Sequence, residues 1–192
     1  MPNVRPLAMA AILLSLALSV AVAEDEVGTE ELVELCISCH GEEGRPIEPD
    51  YPIIWGQEFY YLYVQLRDYQ AGRRENEIMQ PLVEDLSKDQ LKAIAQVFAD
   101  REWPRISFAA TTEDIKAGQI AAGSGQCTQC HLGGYNGNSR VPRLAGQNPA
   151  YLERTMLEFK SKVRNNAPDK GALFRAYEDA DIEAMANFMA GM

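Results

Sequence analysis

Cys36-Ile37-Ser38-Cys39-His40 and Cys127-Thr128-Gln129-Cys130-His131 are two copies of Cys-x-x-Cys-His, and together they use all four cysteines and both histidines of the chain. The pattern is the attachment signature of a c-type haem. The sulfurs of Cys36 and Cys39, or of Cys127 and Cys130, add to the vinyl groups of a porphyrin. The adjacent histidine, His40 or His131, binds the iron from the proximal side. One helical turn brings both sulfurs and the imidazole to one edge and one face of the macrocycle. Other readings explain less. Two disulfides suit an exported chain but give no reason for a histidine after each pair. A structural zinc site would take the cysteine pairs and leave the histidines surplus. A thioredoxin-like redox pair needs a strand–helix context, which is absent around these residues. The motifs predict two covalently bound haem c groups.

Working outward from the motifs, the chain repeats itself. His40 and His131 stand 91 residues apart, and Pro52-x-x-x-Gly56-Gln57 matches Pro142-x-x-x-Gly146-Gln147 at a separation of 90. Leu62, Leu66 and Tyr69 match Leu152, Met156 and Phe159, and Leu91, Ile94, Ala95 and Phe98 match Ile182, Met185, Ala186 and Met189. These are the three- and four-residue spacings of an apolar helix face. Each half therefore predicts a short helix beginning near Thr29 or Thr111 and leading into the motif. A Gly/Pro-rich loop follows, from Gly41 to Pro52 or from Gly133 to Pro142. A longer amphipathic helix, a loop and a final helix complete the half. Ser87 with Gln90 reads as a capping box. No strand pattern emerges. The expected class is all-α, with two tandem domains at 24–102 and 112–192 joined by a linker at 103–111.

The first 23 residues read as an export signal. Arg5 is the positive region, Leu7 to Val20 the apolar run, and Ala21-Val22-Ala23 the cleavage site. The run is short for a membrane span, and no later stretch resembles one, so the mature chain is expected in the periplasm without a membrane span. Cleavage removes one base and no acid, making the mature chain one unit more negative than the −10 of the full sequence. That charge disfavours nucleic acid and favours redox partners with a basic docking face.

The two motifs, Cys39-His40-Gly41, the Gly-Gln pairs followed by Tyr61-Leu62 and Tyr151-Leu152, Ala71-Gly72-Arg73 and Asn76-x-x-Met79 together resemble the dihaem cytochrome c4 type, two class I cytochrome c domains in tandem. The resemblance covers essentially the whole mature chain. It implies two helical domains facing each other with haem edges close, and Pro52 and Pro142 near the proximal histidines. It also implies a methionine sixth ligand before the last helix of each half. Met79 stands there in the first half. In the second half the matching positions are Asp169 and Lys170, while Met156, Met185 and Met189 match core positions. Lys170 is the preferred ligand there, with Asp169 or an open iron as alternatives.

The resemblance implies an electron carrier. A thioether at Met79 favours reduced iron, and an amine or oxygen ligand favours ferric iron, so electrons would run from the second haem to the first. The alternative is a cytochrome subunit of a sulfur-compound dehydrogenase, or an enzyme with an open second haem. No free histidine and no distinctive acid–base set supports catalysis. Arg73, Arg74, Arg140 and Arg143 are candidate partners of haem propionates. Tyr60, Tyr61 and Tyr63 are candidates for packing on haem or at the domain interface.

Overall fold

The computed structural model describes residues 28–192; the predicted export signal at 1–23 lies outside the described residues. In the first half α1 (Thr29–His40) is followed by a 3-10 turn (Glu42–Gly44), α2 (Phe59–Gln70), α3 (Met79–Val83) and α4 (Lys88–Ala99). The second half repeats the series as α5 (Thr112–Ser124), α6 (Thr128–His131), α7 (Pro149–Ser161), α8 (Pro168–Phe174) and α9 (Asp179–Ala190). The described residues form no strand beyond an isolated bridge between Asn138 and Val141. The chain is all-α, as its patterning predicts.

Within each half the last helix is the hub. α4 packs on α1 and α2, and α9 packs on α5 and α7. The apolar stripe of α4 buries Leu91, Ile94, Ala95 and Phe98, and that of α9 buries Ile182, Met185, Ala186 and Met189. Ser87 caps α4 with the expected box: its side chain accepts from Gln90 N at 3.2 Å, and Gln90 Oε1 accepts from Ser87 N at 2.8 Å. α5 and α9 cross at backbone contact, because a Cβ on Gly118 would lie 2.2 Å from the Ala184 carbonyl oxygen.

The Gly-Gln loop is anchored identically in both halves. Gly56 and Gly146 adopt φ of +65° and +71°, a left-handed conformation costly for other residues. Their N–H groups donate to Phe98 O at 2.8 Å and Met189 O at 2.9 Å. This ties each loop to the end of its own last helix.

The structure departs from the sequence reading at three places. The second haem motif is not a continuation of one helix: α5 stops at Ser124 and the motif forms the separate turn α6. Gly123 and Gly125 weaken the helix, and Gln126 turns left-handed at φ +52°. Met79 begins a short helix rather than sitting in open loop, because Asn76 Oδ1 accepts from Ile78 N and Met79 N at 3.1 and 2.8 Å. Pro168-Asp169-Lys170-Gly171 likewise opens α8 inside the stretch expected as the loop before the final helix, with Pro168 at its first position.

Candidate functional site

Helix α1 carries Cys36, Cys39 and His40 to the wall of an apolar cleft. Leu32, Leu62, Leu66, Ile94 and Phe98 line the same cleft, and Met79 reaches it from α3. His40 is buried, and its Nδ1 lies 3.0 Å from the Pro52 carbonyl oxygen. Facing a carbonyl, Nδ1 carries the proton and donates it, which leaves the Nε2 lone pair for a metal. Burial lowers the His40 pKa, so the ring is held in the neutral form that binds iron.

The second half builds the same wall. His131 Nδ1 donates to the Pro142 carbonyl at 2.9 Å. Burial, helped by the charge of Lys170, lowers the His131 pKa to about 4. Cys127, Cys130, Leu144, Leu152, Phe174 and Lys170 line the cleft. Lys170 is half-buried and lines this cleft, whereas Asp169 is exposed and does not. Met156, Met185 and Met189 also touch the cleft, but each is buried in the core between helices. None of the four cysteines is in a disulfide, and among the described residues no group of three or more His, Cys, Asp or Glu is arranged to hold a metal ion by itself. Two apolar clefts, each with two free thiols and one neutral imidazole on the same wall, fit a covalently held haem.

Between the halves lies a buried polar layer. Gln65 Oε1 accepts from Arg74 Nη1 at 3.0 Å, Arg164 Nη2 at 2.7 Å and Asn166 Nδ2 at 3.1 Å. Arg74 Nη2 donates to the Tyr151 hydroxyl at 3.2 Å, and Asn166 Nδ2 to Asp68 at 2.7 Å. Arg74, Arg164 and Asp68 are all buried here; both guanidiniums converge on the Gln65 oxygen, while the Asp68 carboxylate takes Asn166 on one oxygen and Arg73 on the other. Burial opposes ionisation of the Tyr151 phenol, but the charges of Arg74 and Arg164 outweigh it and hold the group down to about 7. Trp103 from the connecting segment lies against Gly56 and Gly146 of the two Gly-Gln loops, with the Arg143 guanidinium 4.5 Å over its ring.

No family model matches the sequence. Cytochrome c4 of Thiocapsa roseopersicina is 28% identical over 184 residues, covering 89% of this chain and 94% of that protein. The crystal structure of reduced recombinant cytochrome c4 from Pseudomonas stutzeri superposes with a TM-score of 0.77 at 28% identity, covering 85% of this chain and 96% of that one. A thiosulfate dehydrogenase electron acceptor of Thiomonas intermedia is 30% identical over 169 residues, covering 81% of this chain and 77% of that protein. The chain belongs to the dihaem cytochrome c4 family. Its cofactors are accordingly two covalently bound haem c groups, and it is an electron-transfer protein that acts with redox partners.

Within this cytochrome c4 framework the arginines divide. Arg73 is taken by Asp68 at 2.8 Å, and Arg140 is exposed. Arg74 and Arg143 line the first cleft, Arg143 reaching it from the second half, and Arg154 joins them. Tyr61 lies in the interface and accepts from Arg164 at 3.4 Å, while Tyr60 faces solvent and Tyr63 packs on Phe59. Sequence reading missed Gln65, Tyr151, Arg164 and Asn166 as interface residues. It noticed Gln57 and Gln147 only as repeat markers. Their recurrence beside each proline was the available signal.

Proposed function

We propose that the chain is a periplasmic electron carrier with two unlike haem sites, one in each of the domains 24–102 and 112–192, exported by cleavage after Ala23. Cys36 and Cys39 would hold the first haem and Cys127 and Cys130 the second, with His40 and His131 as proximal ligands. When bound, each haem supplies one iron that cycles between ferrous and ferric. The observation that carries the reading is the asymmetry of the distal walls, with Met79 on the first cleft and Lys170 on the second. A thioether at Met79 favours the reduced state, and an amine at Lys170 favours ferric iron. The first site is then the electron sink of the pair. Net charge favours a redox partner with a basic docking face.

A second reading makes the chain the dedicated electron acceptor of a sulfur-compound dehydrogenase. The similarity to the thiosulfate dehydrogenase electron acceptor favours it. The two readings share their chemistry and differ in the donor. Mass spectrometry of the mature protein should find two haem additions. Met79→Ala should remove the sulfur-to-iron absorption band and lower the potential of one haem. Lys170→Ala should open the other to cyanide and carbon monoxide. A wild-type protein that already binds either ligand rapidly at half its haem would overturn the ligation by Lys170.

A further inference from the structure

We propose that Gln57 and Gln147 are positioning residues acting across the interface, each setting the proximal histidine of the opposite half. The inference rests on the reading of His40 and His131 as proximal ligands. Gln147 Oε1 accepts from Ile53 N at 2.8 Å, and its Nε2 donates to Ile53 O at 2.9 Å. Gln57 does the same in reverse: Oε1 accepts from Arg143 N at 2.8 Å, and Nε2 donates to Arg143 O at 3.0 Å. Both carboxamides are buried, at 3% and 2% exposure. Their orientation is fixed, because each Oε1 also accepts a second backbone N–H, from Glu58 at 3.0 Å or Asn148 at 2.9 Å.

The peptide each glutamine grips is the one that holds the histidine. The Pro52 carbonyl that accepts from His40 and the Ile53 N–H that donates to Gln147 belong to one peptide group. The Pro142 carbonyl and the Arg143 N–H form the matching peptide for His131 and Gln57. Each half therefore contains a relay of two hydrogen bonds: imidazole to peptide, then peptide to the other half's glutamine. Hydrogen bonds in series polarise one another. Drawing on the N–H makes the carbonyl a stronger acceptor, which makes the imidazole more basic. A more basic proximal ligand favours ferric iron and lowers the potential. An interface clasp with no further role has no reason to aim at this peptide twice.

The test is Gln57→Leu beside Gln147→Leu in the full dihaem protein. Redox titration is followed by NMR of haem methyl signals. NOEs to Phe98 assign signals to the first cleft, and NOEs to Phe174 assign them to the second. Gln57→Leu should raise the potential of the second-half haem and leave the first unchanged, and Gln147→Leu should do the converse. Gln57 discriminates well, because its side chain lines the first cleft. An effect of mere proximity would move the first-half haem. That outcome, equal shifts of both haems, or no shift would overturn the proposal. If the leucine variants do not fold, Gln57→Glu keeps an acceptor on Arg143 N–H. It should lower the second-half potential more than the first, and a larger fall in the first would overturn the proposal. Absence of haem NOEs in one half would instead count against the site reading.

Discussion

Gln65→Leu removes an acceptor that serves three donors and should loosen the contact between the halves. Its Oε1 takes Arg74 at 3.0 Å, Arg164 at 2.7 Å and Asn166 at 3.1 Å, and the last two come from the opposite half. Hydrogen bonds to charged groups contribute about 1.5–3 kcal/mol each. The three losses do not add, since the donors share one oxygen. Each donor residue also retains a partner: Arg74 keeps Tyr151, Arg164 keeps Asn166 Oδ1 at 3.0 Å, and Asn166 keeps Asp68. The expected cost is therefore about 2–4 kcal/mol, below the sum of three full bonds. Urea unfolding of the dihaem protein, followed by far-UV circular dichroism and by Soret absorbance, measures it. The two probes should separate in Gln65→Leu as the halves lose their coupling. Gln65→Glu retains the acceptor and adds an anion beside two guanidiniums, so it should hold stability at or above wild type. A loss under roughly 0.5 kcal/mol in Gln65→Leu, the scale of an ordinary surface change, would refute the account.

Ser87→Ala should cost about 1 kcal/mol by deleting the cap of α4, read as a lower urea midpoint with an unchanged slope. Gly118→Ala should cost about 1–3 kcal/mol by overpacking, because its Cβ meets the Ala184 carbonyl in the crossing helix. Gly123→Ala in the same helix meets nothing within 4 Å and should be neutral or stabilising by up to roughly 1 kcal/mol. Thermal melts of the two glycine variants side by side test the helix crossing.

Much of the fold was legible because its signals are local. The apolar spacing of Leu91, Ile94, Ala95 and Phe98 writes one helix face, and Ser87 with Gln90 writes its start. The repeat then extends each reading to the other half. Local signals misled where weak helix formers met strained backbone. Nothing in the repeat announced that Gly123 to Gln126 would interrupt the helix before the second motif, since Leu32 to Leu35 sustain it in the first half. The short helices at Met79 and Pro168 were also missed. Asx and proline starts act over so few residues that they resemble turns.

The sequence by itself determined the cofactor chemistry. Cys-x-x-Cys-His is a contiguous motif whose reactivity follows from spacing alone, and the count of four cysteines and two histidines leaves nothing over. It also determined the class and the tandem order, since helix periodicity is carried by near neighbours. Tertiary structure alone decided what faces what across the two halves. Asp169 and Lys170 are adjacent in the chain, yet only Lys170 reaches the second cleft, because the turn of α8 points successive side chains in different directions. Gln57 and Gln147 look alike in sequence, and only folding brings each against the peptide that holds the other half's histidine. Contacts between residues some 90 positions apart leave no periodicity to read. They depend on how two finished helical bodies meet.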